Sequence, residues 1–308
     1  MMSSGNRYNN EKALEIFNRH RGRLFGLAYR MTGTREDSEE VLQEAYIKWH
    51  QADQSEIESP EAWLVTVVTR LALDKLRKLS RERAGYIGPW LAEPLVIRPA
   101  KSAEEQAELA SSLSIAFLAM LERLSPLERA VFLLSDVFEL KHSDIAKAVG
   151  KSEVAVRQIA SRARRRVRTD RPRFDVNEQA RTSLIKKFAE ASRAGNLEEL
   201  LEIFAEDISL TSDGGGIVTA ARRTVYGSRR IARLFALSGS KYADLISAQF
   251  LAINGRTCLV EFLQGKPFAV TDFVIEDGKI THLFRIMNPL KLSSFVNAEN
   301  ESAFQSSD

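Results

Sequence analysis

Cysteine is almost missing from this chain: Cys258 is the one cysteine in 308 residues. That excludes a disulfide framework and a cysteine-built zinc cluster, and it suits a reducing compartment. Cys258 itself lies in the strand-like run Thr257-Cys258-Leu259-Val260 and reads as a small buried apolar residue. Charge of one sign is also scarce, with a net of +3, so total charge selects no partner. No apolar run approaches the roughly 20 residues that cross a bilayer. The polar start Met1 to Glu11 has no apolar segment of the signal-peptide kind. These absences predict a cytoplasmic protein with no membrane partner. What remains is ordinary globular material, 44% hydrophobic and 28% charged, long enough for two or three domains with their own cores.

The charge that is present is unevenly placed. Arg157 to Arg173 is dense in arginine and nearly free of acid, whereas Glu178 to Asp207 is mixed. A local basic block in a near-neutral chain points to a nucleic-acid contact. Periodicity divides the chain into three blocks. Residues 11–83 read as helices, with Leu24, Leu27 and Ala28 on one buried face and Leu42, Ala45 or Tyr46, and Trp49 on another. Ser59-Pro60-Glu61 is a helix start, with a Ser cap, Pro in the first turn and an acid behind it. A stripe of Trp63, Leu64, Val67, Leu71 and Leu76 follows. The stretch Gly85 to Pro94 then carries two Gly and two Pro and reads as a linker, one whose Tyr86, Ile87, Trp90 and Leu91 should dock somewhere.

Residues 104–168 are helical again. Ser125-Pro126-Leu127-Glu128 has the capping-box spacing. Two short helices, Ser143 to Val149 and Ser152 to about Arg168, flank Gly150-Lys151 and form a helix-turn-helix. Ile145, Ala146 and Val149 pack the first helix; Val156, Ala160, Ala163 and Val167 pack the second. That leaves Ser152, Glu153, Arg157, Gln158, Ser161 and Arg162 facing outward, side chains able to reach base edges in a major groove. Arg164, Arg165, Arg166 and Arg168 are suited to phosphates and would make binding strongly salt-dependent. Pro172 marks a break.

In the first block Glu36, Glu40 and Glu44 recur at i, i+4, i+8 and share one helix face opposite Leu42, Ala45 and Trp49. Such a face is either simply solvated or made for a basic partner. The next helix has the opposite charge: Arg70, Lys75, Arg77, Lys78, Arg81 and Arg83 crowd its C-terminal half. Helix-dipole compensation accounts for part of that; their density favours a backbone-binding surface.

These motifs resemble those of bacterial sigma factors of the extracytoplasmic-function type. Asp37-Ser38-Glu39-Glu40-Val41-Leu42-Gln43-Glu44-Ala45-Tyr46-Ile47-Lys48-Trp49 is similar to sigma region 2, at the segment that grips the polymerase β′ subunit. Pro60 to Leu64 through Leu73-Asp74-Lys75-Leu76-Arg77 resembles the helix that reads and opens the −10 element. Leu124-Ser125-Pro126-Leu127-Glu128-Arg129 through Arg168 resembles region 4, whose helix-turn-helix reads the −35 element. The resemblance implies that Glu36, Glu40, Gln43 and Glu44 bind polymerase. It places Arg70, Asp74, Arg77 and Lys78 at the −10 element and lets the loop Gln51–Ser59 capture an unstacked base. Many members carry Asn where this chain has Leu71. Melting then needs no catalysis, since an extruded base held in a pocket offsets the few kcal/mol of unstacking. Implied partners are the polymerase core (β′ and β subunits) and promoter DNA.

The third block changes character. A helix pair over about 177–205, interrupted at Gly195-Asn196, precedes strand-like runs at Ile208–Thr211, Ile217–Thr219, Ile246–Ile253, Thr257–Leu263, Phe268–Ile275 and Ile280–Ile286. Asn254-Gly255 and Asp277-Gly278 are hairpin turns. The order predicts an α+β fold. Phe188 to Glu190, Gly195-Asn196 and Phe204 to Asp207 resemble the start of a SnoaL-like cone. One sigma subgroup carries this extension with three marks, matched here by Trp90-Leu91-Ala92-Glu93-Pro94, Asp213-Gly214-Gly215-Gly216 and Asn288-Pro289-Leu290-Lys291-Leu292. Ala92 stands in place of Pro and Leu290 in place of Asp. The resemblance implies regulatory contacts through Trp90, Glu93, Pro94, Asp213, Gly214, Gly215, Asn288 and Pro289, in place of a separate anti-sigma protein.

The expected fold is therefore multidomain: two all-α helical sigma domains, the second with a helix-turn-helix, followed by an α+β SnoaL-like cone. The expected spans are region 2 at 10–83, a linker at 84–107, region 4 at 108–170, the cone at 177–296 and a disordered tail at 297–308. Catalysis is the weaker reading of the cone. Its one histidine, His282, would need Asp213, Asp272, Glu261 or Tyr242 beside it, and Asp213 before three glycines is more simply a turn residue. No cofactor and no metal are expected, although the cone leaves room for an unidentified small-molecule ligand. A plain helix-turn-helix regulator would dimerise on a two-fold site and would not need the acidic face or the basic third helix.

Overall fold

The computed structural model describes residues 4–96, 113–168, 178–293 and 295, with the side chains of 4–10 and 168 outside the description. The helix expected over 104–112, the break at Pro172, the tail 297–308 and the side chain of Arg168 therefore lie outside the described residues. The chain divides into two compact units, one of residues 1–84 with 120–170 and one of 85–119 with 171–308.

The first unit begins with α1 (Ser4–Thr32), α2 (Arg35–Gln51) and α3 (Pro60–Glu82). After α4 (Ile115–Leu121) come α5 (Pro126–Phe132), α6 (His142–Val149) and α7 (Glu153–Arg168). The starts have local causes. The Thr34 side chain accepts from the Asp37 amide, Ser59 from Ala62, and Ser125 with Glu128 closes a reciprocal capping box. Gly150 ends α6 in the left-handed region at φ 65°. In α3 the buried arc differs from the expected stripe. Leu64, Val65, Val68, Ala72, Leu73 and Leu76 are buried, whereas Trp63, Val67 and Leu71 are half-buried. The physical reason is that α3 packs on α1 and α2 and also on α5 and α6, so its apolar face is wider than one seam and centred a residue later.

Arginines close this unit by capping helix ends. Arg129, buried, donates to Met31 O at 2.9 Å and to Leu121 O at 3.1 Å. Arg83 donates to Thr32 O at 2.5 Å. These carbonyls at the ends of α1 and α4 have no partner inside their helices and carry the negative pole of the dipole, so a guanidinium satisfies both.

The second unit holds α8 (Glu178–Ala194), α9 (Leu197–Ile203), β1 (Phe204–Asp213), β2 (Val225–Tyr226), α10 (Ser228–Lys241), β3 (Ile246–Ile253), β4 (Arg256–Leu263), β5 (Lys266–Glu276) and β6 (Lys279–Ile286). The six strands run in the order β2-β1-β6-β5-β4-β3. β1 and β6 are parallel and the other neighbours antiparallel. One face packs on the helices through Phe188, Phe204, Ile231, Phe235, Leu259 and Phe273. The other, through Cys258, Val260, Val270 and Ile286, covers Leu91, Ile115, Leu292 and Phe295. Strand alternation puts adjacent residues such as Leu259 and Val260 on opposite faces. The result is the two-sided cone expected from the sequence.

One local reading changes and two elements are added. Ile217–Thr219 is not a strand: the Ile217 and Val218 amides donate to Gly214 O at 3.0 and 3.3 Å, closing a turn. β2 and α10 have no counterpart among the elements expected from the sequence. The turns at Asn254-Gly255 and Asp277-Gly278 form with positive φ (52° and 78°, 50° and 73°). Inside the cone Arg181, fully buried, pairs with Asp272 at 2.7 Å and also donates to Phe273 O and Thr257 O. Cys258 is buried as expected, and burial, then the nearby Asp272 charge, pushes its thiol well above the ordinary value.

Candidate functional site

On α2 the predicted acidic face is real. Glu36, Glu40, Gln43 and Glu44 are exposed, and Val41, Leu42, Ala45 and Trp49 are buried beneath them. Trp49 fixes the helix by donating from Nε1 to Ala13 O at 2.9 Å and by packing its ring 5.5 Å from Trp63. Lys75 of α3 lies between Asp37 (3.0 Å) and Glu40 (2.5 Å). The Glu40 bond raises the Lys75 pKa against the effect of burial. Glu40 still has 63% of its side chain exposed. Ile47, 53% exposed, stands one turn beyond Gln43 and Glu44. The sequence pattern passes over it, since a lone apolar residue among acids carries no periodic signal.

On α3 the predicted −10 residues separate. Arg77 pairs with Asp74 at 2.8 Å, and Lys78 lies 4.0 Å from Glu82; all are on the surface. Arg70 is engaged elsewhere: its guanidinium donates to Lys147 O at 2.8 Å and Ala148 O at 3.1 Å, at the C-terminus of α6. The loop 51–59 contains a 3-10 turn, Gln54–Glu56. Asp53 orders it by accepting from the Ser55 hydroxyl and amide at 2.6 and 3.0 Å, which lowers the Asp53 pKa.

The helix-turn-helix packs through Ile145, Ala146 and Ala148 against Val156, Ile159, Ala160, Ala163 and Val167, all buried. Glu153, Arg157, Gln158, Ser161 and Arg162 lie exposed along α7. Ser152 has a structural task as well, since its hydroxyl accepts from the Ala155 amide at 3.2 Å. Arg157 has a weak intrahelical partner in Glu153 at 3.4 Å. The arginines beyond them divide. Arg164 pairs with Asp136 at 2.7 Å and Arg166 with Glu128 at 2.6 Å, so both tie α7 to the preceding helices. Arg165 is exposed.

In the second unit the three sequence marks meet. Asp213, at the end of β1 and fully buried, accepts from Tyr86 Oη at 2.6 Å, the Leu91 amide at 2.9 Å, Lys291 Nζ at 2.6 Å and the Gly215 amide at 3.1 Å. It is thus more than the turn residue expected. Lys291 also donates to Leu91 O at 2.5 Å and lies 4.0 Å from the centre of the Trp90 ring. Asn288 donates to Tyr86 Oη at 2.9 Å and caps the following turn by accepting from the Leu290 amide. A side chain on Gly215, at φ +62°, would strike Asn288, and one on Gly216, at φ +74°, would strike Ile87 at 2.8 Å. Pro94 is buried and Glu93 half-buried. The two departures fall differently: Ala92 is buried, whereas Leu290 is 74% exposed, and the turn keeps its cap from Asn288 without an acid at position 290.

Two members of this clamp escape sequence reasoning. Lys291 stands inside the third mark, where no local partner points to its role. Asn254 reads as a hairpin residue alone, yet its side chain accepts from the Leu95 amide at 2.7 Å and donates to Leu113 O at 2.8 Å. Of the residues weighed for catalysis, Glu261 and Tyr242 line one cavity, and His282, Asp213 and Asp272 do not line it. Asp272 is tied to Arg181 and Glu261 to Arg285, Asp213 serves the linker, and His282 lies exposed on β6.

Comparison with known proteins bears on both halves. The Sigma-70 region 2 family model matches residues 16–82, and the Sigma-70 region 4 model matches residues 114–167. The ECF RNA polymerase sigma factor SigJ of Mycobacterium tuberculosis is 34% identical over 286 residues, 89% of this chain and 91% of that protein. A probable ECF RNA polymerase sigma factor of the same organism, SigI, is 30% identical over 275 residues, 89% of this chain and 92% of that protein. The crystal structure of M. tuberculosis SigJ superposes with a TM-score of 0.72 at 32% identity, covering 91% of this chain and 98% of that one. Two helical regions in sigma order, with an α+β domain behind them, define a sigma subunit of RNA polymerase. This chain belongs to the ECF RNA polymerase sigma factor family.

Proposed function

We propose that this sigma factor docks on the polymerase β′ subunit through the α2 face of Glu36, Glu40, Gln43 and Glu44, with Ile47 as the apolar anchor among them. The observation that supports this reading is the geometry of α2. Its acidic residues and one exposed isoleucine share a surface that the buried Leu42, Ala45 and Trp49 hold rigid from below. Interfaces with an apolar centre and a charged rim have this composition. Reversing charge with Glu40→Lys and Glu44→Lys should abolish binding to purified core polymerase while the far-ultraviolet spectrum stays unchanged. Retained binding removes the assignment.

Promoter reading falls to two faces: α3 with the loop 51–59 at the −10 element, and α7 at the −35 element. Arg157→Ala should weaken −35 binding by about 1–3 kcal/mol for the preferred sequence if the guanidinium is bidentate to guanine. A loss that is equal on all sequences makes it a phosphate contact. Transcription of fragmented genomic DNA by core polymerase, with and without the protein, tests the whole reading, and start sites sharing a −35/−10 pair are the expected result. The cone tunes this activity through its grip on residues 86–95. The support for that role is the clamp at Asp213 and Lys291, which joins the linker to the two cone marks.

A further inference from the structure

The cone contains a cavity of about 990 Å³ between the sheet and helices α8 and α10. It is at the upper end of the sizes that hold small ligands. Its walls are mostly apolar, with Phe188, Phe235, Phe250, Phe268, Leu259 and Ile246 among them. Such a ring of aromatic faces suits a planar apolar body. Tyr242, Ser238 and Thr219 are among the polar residues that line it. The charged residue deepest in it is Arg285, 8% exposed. It pairs with Glu261, donates to Thr271 Oγ1 at 3.0 Å, and lies 5.5 and 5.8 Å from the centres of the Phe235 and Phe268 rings.

The ion pair settles the charge of the occupant. With Arg285 already neutralised by Glu261, a ligand carboxylate or ammonium would enter a desolvated site without a counter-charge. Lys186, Glu190 and Arg193 stand at the solvent rim, where water screens them. We propose that the cone binds an uncharged, largely apolar ring compound. The site shares its wall with the linker clamp. Ser212 and Met287 line the cavity and are the chain neighbours of Asp213 and Asn288. The amides of Met287 and Asn288 both donate to Asp213 O, at 2.7 and 2.9 Å. A ligand pressing on these strand ends acts where Asp213 holds the linker. Binding itself does not depend on the sigma reading, and it can fail or succeed separately.

The test uses the full-length protein and a matched pair of fluorescent probes, neutral N-phenyl-1-naphthylamine and anionic 1-anilinonaphthalene-8-sulfonate. The neutral dye should bind saturably, one per chain, and about tenfold more tightly than the sulfonate, a difference of about 1.4 kcal/mol. Ala248→Trp fills the cavity from the exposed side of β3, and Leu234→Trp fills it from α10. Either variant, melting like the parent, should abolish dye binding. Saturable binding that survives both substitutions places the dye elsewhere and overturns the proposal. So does no saturable binding of the neutral dye, or a preference for the sulfonate.

Discussion

The two units of this chain spend their arginines and lysines differently. In the helical unit charged side chains lie on the surface, as Glu36, Glu44 and Arg157 do, reach backbone carbonyls at helix ends, as Arg70, Arg83 and Arg129 do, or pair between helices, as Lys75 does with Asp37 and Arg166 with Glu128. In the cone the decisive pairs are buried: Arg181 with Asp272, and Lys291 with Asp213. Exposed charge costs little to keep and stays accessible. Buried charge is retained where one geometry must be specified, and it is unforgiving of loss. The same residue types thus stay at the surface or cap helix ends in one unit and are locked into buried pairs in the other.

Substitutions sharpen that contrast. Arg181→Met should have the largest effect. It leaves Asp272 charged and buried with the Phe273 and Thr257 carbonyls short of a donor, and should cost about 3–5 kcal/mol, read as a lower denaturant midpoint for the cone. Lys291→Met should cost less, about 2–3 kcal/mol, because Tyr86, Leu91 and Gly215 still donate to Asp213. Its distinguishing sign is faster proteolysis within residues 85–95 at temperatures where the cone is folded. If the linker stays protected, the clamp is not what holds it. Arg70→Ala should be smallest, about 1–2 kcal/mol, since its bonds to Lys147 O and Ala148 O are partly exposed. The cost should appear in the helical unit alone; equal destabilisation of both units would erase the contrast between them.

Much of the fold and of the candidate surfaces is legible in the amino-acid sequence. The Ser59-Pro60 and Ser125 to Glu128 caps act through bonds three residues apart, so local spacing is enough to find them. The helix-turn-helix follows from Gly150 and the apolar spacing on either side, and the hairpins from Asn-Gly and Asp-Gly, whose positive φ those residues tolerate. The α3 stripe is displaced because periodicity reports one buried seam, whereas α3 packs on two sides. α10 escapes the sequence reading although its apolar positions recur, because five arginines interrupt Arg222 to Arg233. The nearby run Ile217–Thr219 imitates a strand through its β-branched residues. Arg164 and Arg166 have partners in Asp136 and Glu128 that nothing local reveals.

The amino-acid order by itself determined the capped helix starts at Ser59 and Ser125, the acidic and basic faces, the two hairpin turns and the family to which the chain belongs. Each of these is written in residues within a few turns of one another, where backbone geometry leaves little choice. Only the tertiary structure decided that Asp213 binds a linker more than a hundred residues away, and that Arg70 caps α6. It also decided that Arg285 meets Glu261 at the wall of an apolar cavity. These depend on which distant segments share a buried volume, where water is absent and each polar group must find its partner in the fold.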